Sequence, residues 1–98
     1  MHKSVTGTTA IDISSLEFKE LLIDVYSGNT SYPYAFMVNV FKENLTSYNK
    51  IYVSGYYNTS TDCGCLKVIA KTSSVQLNNI AINGTSYKDS AVVNVYYK

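Results

Sequence analysis

Few side chains in this sequence can do chemistry. The only histidine is His2 and the only cysteines are Cys63 and Cys65. The acids Asp12, Glu17, Glu20, Asp24, Glu43, Asp62 and Asp89 stand singly, with no spacing that marks a carboxylate dyad. One imidazole at a chain end, expected to fray, offers no Ser-His-Asp order. No glycine-rich phosphate loop is present. These observations predict no catalytic residues, no enzyme activity and no cofactor.

The cysteines lie two apart in Asp62-Cys63-Gly64-Cys65. On an extended strand they share a face, yet a bridge between them strains disulfide geometry. As zinc ligands they are too few, and His2 is far away in sequence. The expectation is two reduced thiols beside a turn and no metal. A bridge or a metal shared between copies is the alternative.

Tyrosine is the unusual residue: ten of them, and no tryptophan. They cluster as Tyr32/Tyr34, Tyr48/Tyr52, Tyr56/Tyr57 and Tyr96/Tyr97. A tyrosine offers a flat apolar face with a hydroxyl at its rim, which suits a sugar ring or a protein surface. The same residues also serve as core filling or as cross-strand surface pairs. Adjacent tyrosines on a strand point to opposite faces, so one of each pair is expected inside and the other outside. Loops on a rigid scaffold commonly carry binding residues. The candidate ligand contacts are therefore Tyr32, Tyr34, Tyr56, Asn58 and Asp62, beside the middle strands.

A chain of 98 residues is one domain with a modest core, here residues 1–98, and residues 1–4 are open to a second reading as a cloning remnant. The charged share is 15% where about 25% is usual, so Ser, Thr, Asn and Tyr must build much of the surface. The net charge is +1 and the lysines are scattered, which argues against nucleic acid as a partner. No apolar run approaches a membrane span, and the first residues hold no signal-peptide core. Four Asn-x-Ser/Thr triplets, at Asn29, Asn44, Asn58 and Asn83, all fall in or near expected turns. They read as turn chemistry, or as glycan acceptors if the chain is secreted from a eukaryotic cell.

The patterning is that of strands. β-branched and aromatic residues alternate, and turn residues recur every eight to twelve or so positions. Expected strands cover Val5–Ile13, about 19–26, Tyr34–Phe41, Asn49–Tyr57, Cys65–Thr72, Val75–Ile82 and Ala91–Tyr97. Tyr34–Phe41 is apolar on both faces, which predicts a central or doubly covered strand. Gly55 marks a bulge or a close backbone approach. Leu66, Val68 and Ala70 are expected in the core, and Asn83-Gly84 is a two-residue hairpin signal. Seven or so strands without crossover helices predict an all-β fold, an antiparallel β-sandwich or jelly-roll-like domain.

Thr6-Gly7-Thr8-Thr9-Ala10-Ile11, Phe18–Val25, Val53-Ser54-Gly55-Tyr56-Tyr57 and Asn83-Gly84-Thr85 leading to Ala91–Lys98 together form a frame over nearly the whole chain. That frame resembles the C-terminal domains of tail-fibre and minor structural proteins in phages and prophages of Gram-positive gut bacteria. The resemblance implies a virion component assembled in the host bacterial cytoplasm and released by lysis. It implies a homo-oligomer, with a trimer favoured, alongside other virion proteins and a host-surface glycan or protein as ligand. Two alternatives stand beside it: a purely structural head-fibre or capsid-decoration protein, and a secreted bacterial carbohydrate-binding module.

Overall fold

A computed structural model describes residues 2–98. Within them the chain forms β1 (His2–Thr6), β2 (Ile11–Asp12), β3 (Glu20–Tyr26), β4 (Ala35–Phe41), β5 (Lys50–Thr59), β6 (Asp62–Lys71), β7 (Ser74–Ile82), β8 (Thr85–Ser86) and β9 (Val92–Tyr97). A single 3-10 turn, Lys42–Asn44, joins β4 to the segment before β5.

The strands make two antiparallel sheets. One is ordered β1-β9-β3-β4; the other is ordered β2-β7-β6-β5, with β8 also on β7. The fold is an all-β sandwich. The first and last strands are neighbours, while β2 joins the opposite sheet. The β3–β4 hairpin and the β5-β6-β7 meander make up the rest.

Alternation builds the core. On β3, Leu21, Ile23 and Val25 are fully buried, while Glu20, Leu22, Asp24 and Tyr26 turn outward. Across the sandwich Leu66, Val68 and Ala70 of β6 are fully buried, as their spacing predicts. Val93 and Val95 of β9 and Val75, Leu77 and Ile80 of β7 complete the layer. Each of the Val, Leu and Ile side chains contributes about 1.5–3 kcal/mol by leaving water.

Three expectations are corrected. The stretch Val5–Ile13 is two strands in different sheets, not one. Gly7, at φ 78, turns the chain after β1, and its N–H donates to the Ala91 carbonyl (2.8 Å). β4 is an edge strand, not a central one: among the described residues it pairs with β3 alone, and Met37 is 57% exposed. Its apolar outer face misled because edge position depends on partners far away in sequence. His2 is not frayed. It pairs with Tyr96 on β9, stacks on that ring with centroids 4.7 Å apart, and shares a 2.8 Å hydrogen bond with Asn94. Of residues 1–4, the three that the structure describes are ladder members; Met1 lies outside the described residues.

Glycine and asparagine conformations fix two turns. Asn83 (φ 51) and Gly84 (φ 83) both take positive φ, the requirement of the two-residue hairpin linking β7 to β8. The close-approach reading holds at Gly55: a Cβ there would lie 2.3 Å from the Gly64 carbonyl oxygen. The register shift on β5 lies further on, between Tyr57 and Thr59.

One inward tyrosine is incompletely satisfied. Tyr52 packs its ring against the core, and its buried hydroxyl has no hydrogen-bond partner among the described residues. An unpaired buried hydroxyl costs about 1–3 kcal/mol. Tyr52→Phe is therefore expected to raise stability by about 1 kcal/mol in urea unfolding. A loss of stability would mean that the hydroxyl is paired.

Candidate functional site

The β3–β4 loop is held before it presents anything. Ser27 is fully buried; its hydroxyl donates to the Tyr32 carbonyl (2.7 Å) and accepts from the Asn29 N–H (3.2 Å). The Ser90 hydroxyl donates to the Ser27 carbonyl (2.9 Å), tying this loop to the β8–β9 loop. Asn29 Oδ1 accepts the N–H groups of Ser31 (2.8 Å) and Tyr32 (3.3 Å). Pro33 then separates Tyr32 from Tyr34, and the Tyr34 N–H donates back to the Tyr32 carbonyl (2.8 Å).

That tight turn sends the two tyrosines apart. Tyr32 packs against Tyr87, with centroids 6.3 Å apart. Tyr34 instead faces Tyr56 of β5, with ring centroids 6.3 Å apart and planes 27° from parallel. Phe36 of β4 lies on the same ring at 6.5 Å. The edges of the two sheets thus meet through aromatic side chains where β4 passes β5.

Gly64 makes room for this wall. It pairs with Tyr56 across the ladder and is buried. A Cβ on it would lie 2.6 Å from Phe36 Cζ and 3.1 Å from Tyr56 Cε1. Any other residue at position 64 would push the rings out of place.

Polar groups cap the wall. The Tyr56 hydroxyl donates to Asp62 Oδ1 and the Asn58 amide donates to Asp62 Oδ2, each at 3.1 Å. Both contacts span the β5–β6 turn, whose register shift between Tyr57 and Thr59 lets Thr59 pair with Asp62. Asp62 has no ion-pair partner among the described residues. A carboxylate offers about four acceptor positions, and two are used here, so it retains capacity for donors from outside.

Partial burial raises the Tyr56 phenol above its ordinary value of 10.0, and the neighbouring Tyr34 hydroxyl and the Asp62 carboxylate raise it further. A phenol whose folded pKa is raised favours the folded state below pH 10.0, and that contribution is lost as pH climbs toward the raised value. In a near-ultraviolet absorbance titration, the Tyr56 phenol is expected to ionise as a late step, above its ordinary value. Tyr56→Phe should delete that last step and Asp62→Asn should bring it earlier. A late step that survives Tyr56→Phe would contradict this geometry.

Four of the five candidate residues, Tyr34, Tyr56, Asn58 and Asp62, therefore converge; Tyr32 does not join them. Phe36 and Gly64 belong to the site and were not among the candidates. Phe36 was recognisable as sharing a face with Tyr34. Gly64 becomes visible only once it is known to pair with Tyr56.

The cysteines are both free and half-buried on the outer face of the second sheet. Their sulfurs diverge: Cys63 Sγ lies 3.8 Å from the Ser60 carbonyl and Cys65 Sγ lies 3.9 Å from the Leu66 carbonyl. Among the described residues no three His, Cys, Asp or Glu side chains gather in a way that would hold a metal ion.

Of the adjacent tyrosine pairs, Tyr97 packs against the core while Tyr96 is exposed, as strand alternation predicts. At the Tyr56-Tyr57 pair the inner ring reaches the aromatic wall instead of the core, and Tyr57 is 76% exposed.

Comparisons with protein-family models, with curated proteins and with solved structures found no match.

Proposed function

We propose that this chain is a non-enzymatic recognition domain of a virion, at a fibre tip or baseplate, and that its ligand is a host-surface glycan. The observation that carries the reading is the Tyr34–Phe36–Tyr56 wall with the Asn58–Asp62 pair at its edge. Sugar rings present apolar C–H faces and a rim of hydroxyls. An aromatic face takes the first, and a carboxylate with spare acceptor positions takes the second.

The groups are also preorganised. Asp62 is already held by two donors, and Tyr34 leaves a loop fixed by buried Ser27. Little ordering remains to oppose binding. The virion setting, the Gram-positive host and the assembly with other virion proteins rest on the resemblance of the chain's frame to phage tail-fibre domains.

Binding of the domain to a glycan array and to Gram-positive cells tests the reading. Retention on a defined set of glycans, lost in Tyr56→Ala, is expected. Blank results on both the array and the cells would overturn it. A purely structural role as a head-fibre or decoration module is the second reading, favoured by the exposed Val53 and Tyr57 on the other flank of β5.

A further inference from the structure

The recognition site carries an unbalanced charge. Asp62 keeps two acceptor positions and has no ion-pair partner among the described residues. Its Oδ1 is held by the hydroxyl of Tyr56, on the same ring that Tyr34 and Phe36 contact. A group bound to Asp62 therefore lies within the breadth of one sugar unit of the aromatic wall.

The surroundings do not neutralise that carboxylate. Residues 7–10, 27–34, 58–62 and 83–91 lie together at this end of the sandwich. The Tyr26–Ala35 and Tyr26–Val92 pairs, and the bonds from the Gly7 N–H to the Ala91 carbonyl and from the Asn83 N–H to the Cys63 carbonyl, hold them there. These segments hold one lysine, Lys88, against two acids, Asp62 and Asp89, and Asp89 adjoins Lys88 in sequence. Lys19, Lys42, Lys50, Lys71 and Lys98 stand at the opposite ends of the strands. β5 spans ten residues, so about 30 Å separates the two ends. Exposed charges are largely screened beyond about 8 Å at physiological ionic strength. The site is thus locally acidic on a chain whose net charge is +1.

The rings act in the same direction. The faces of Tyr and Phe rings carry the negative side of the ring quadrupole and attract cations.

We propose that the ligand of this site is an amino sugar with its amine unacetylated, bound as the ammonium to Asp62 with its apolar ring face on the Tyr34–Phe36–Tyr56 wall. The proposal rests on the glycan reading above and gives that ligand its chemical class. A hydroxyl at the same place offers one neutral donor and leaves the carboxylate charge unpaired. An ammonium offers up to three donors, in hydrogen bonds about twice as strong as those between neutral groups. An acetamide keeps a single N–H and adds bulk but no charge. A carboxylated or phosphorylated sugar sets like charge against Asp62. The groove over Gly55, Cys65 and Ala81, on the outer face of the β2-β7-β6-β5 sheet, is lined by no charged side chain and gives an ammonium no counter-charge.

Three β-1,4-linked tetramers isolate the group in question. Those of glucosamine, glucose and N-acetylglucosamine differ only at carbon 2, which bears an ammonium, a hydroxyl or an acetamide. Calorimetric titration of the whole chain in weakly acidic buffer keeps the amines protonated. The glucosamine tetramer should bind about tenfold more tightly than the glucose tetramer, the gain of a charge-assisted over a neutral hydrogen bond. Added salt should erode that gain and leave the glucose tetramer unaffected. Asp62→Asn, at an exposed position, should level the two ligands.

Equal affinities, a preference for the glucose or N-acetylglucosamine tetramer, or an amine preference that survives Asp62→Asn would overturn the proposal. So would a failure of all three tetramers to bind. Any of these outcomes alongside positive array or cell binding removes the amino-sugar assignment and leaves the glycan reading standing. Blank arrays and cells would remove both.

Discussion

Gly28→Ala is expected to destabilise the domain by roughly 3–4 kcal/mol, a large part of the ~5–15 kcal/mol that holds a small domain folded. Two effects add. Gly28 sits at φ 76, where an alanine costs about 1–2 kcal/mol. Its Cβ would also lie 2.0 Å from the Ser90 carbonyl oxygen, which is backbone and cannot rotate aside. The β8–β9 loop would have to retreat, taking with it the Ser90 hydroxyl that bonds the Ser27 carbonyl. Each hydrogen bond lost adds about 0.5–1.5 kcal/mol.

Gly84→Ala is the control. Gly84 also takes positive φ (83), but nothing lies within 4 Å of the added Cβ, so only the conformational cost of about 1–2 kcal/mol is expected. Thermal unfolding should separate the two variants, with Gly28→Ala lower by on the order of 10 °C or more. Equal losses would show that the two loops are not locked together. Because this clamp precedes Tyr34, Gly28→Ala should weaken ligand binding even at temperatures where it is folded.

The second large effect is on binding. Tyr56→Ala removes the ring that Tyr34 and Phe36 both contact and the hydroxyl that holds Asp62. An anchoring aromatic of this kind is commonly worth about 2 kcal/mol or more, so affinity for the best array glycan should fall about 30-fold. Tyr56→Phe keeps the ring and loses only the bond to Asp62, and a loss of less than about 10-fold follows. Tyr32→Ala should leave affinity unchanged, since that ring packs on Tyr87 instead. Calorimetric titration of the three variants, each checked for folding by circular dichroism, gives the ranking. A Tyr32→Ala defect as large as that of Tyr56→Ala would refute the assignment.

Alternation carried most of the fold. Leu66, Val68 and Ala70 could be assigned to the core because their faces are unambiguous, and Asn83-Gly84 because both residues tolerate positive φ. The misreadings share one cause. Whether Tyr34–Phe41 is central or at an edge, and whether Val5–Ile13 stays in one sheet, depends on long-range pairing that local pattern does not encode. The same holds for the site. Tyr56, Asn58 and Asp62 are close in sequence, so a turn was enough to suggest them. That Tyr34 joins and Tyr32 leaves is decided by the reversal over Pro33 and by the edge of β4 passing β5. Gly64 stands between two cysteines in the sequence; its role is to be small beneath Phe36 and Tyr56.

The most direct test of the recognition site is an NMR titration of the isotopically labelled domain with the tightest glycan from the array. The account predicts that the largest shift changes fall on Tyr34, Phe36, Tyr56, Asn58, Asp62 and Gly64, and that they saturate together. Changes centred on the Tyr32–Tyr87 contact or on the Gly55–Cys65–Ala81 groove, with the Tyr34–Tyr56 wall unmoved, would contradict it.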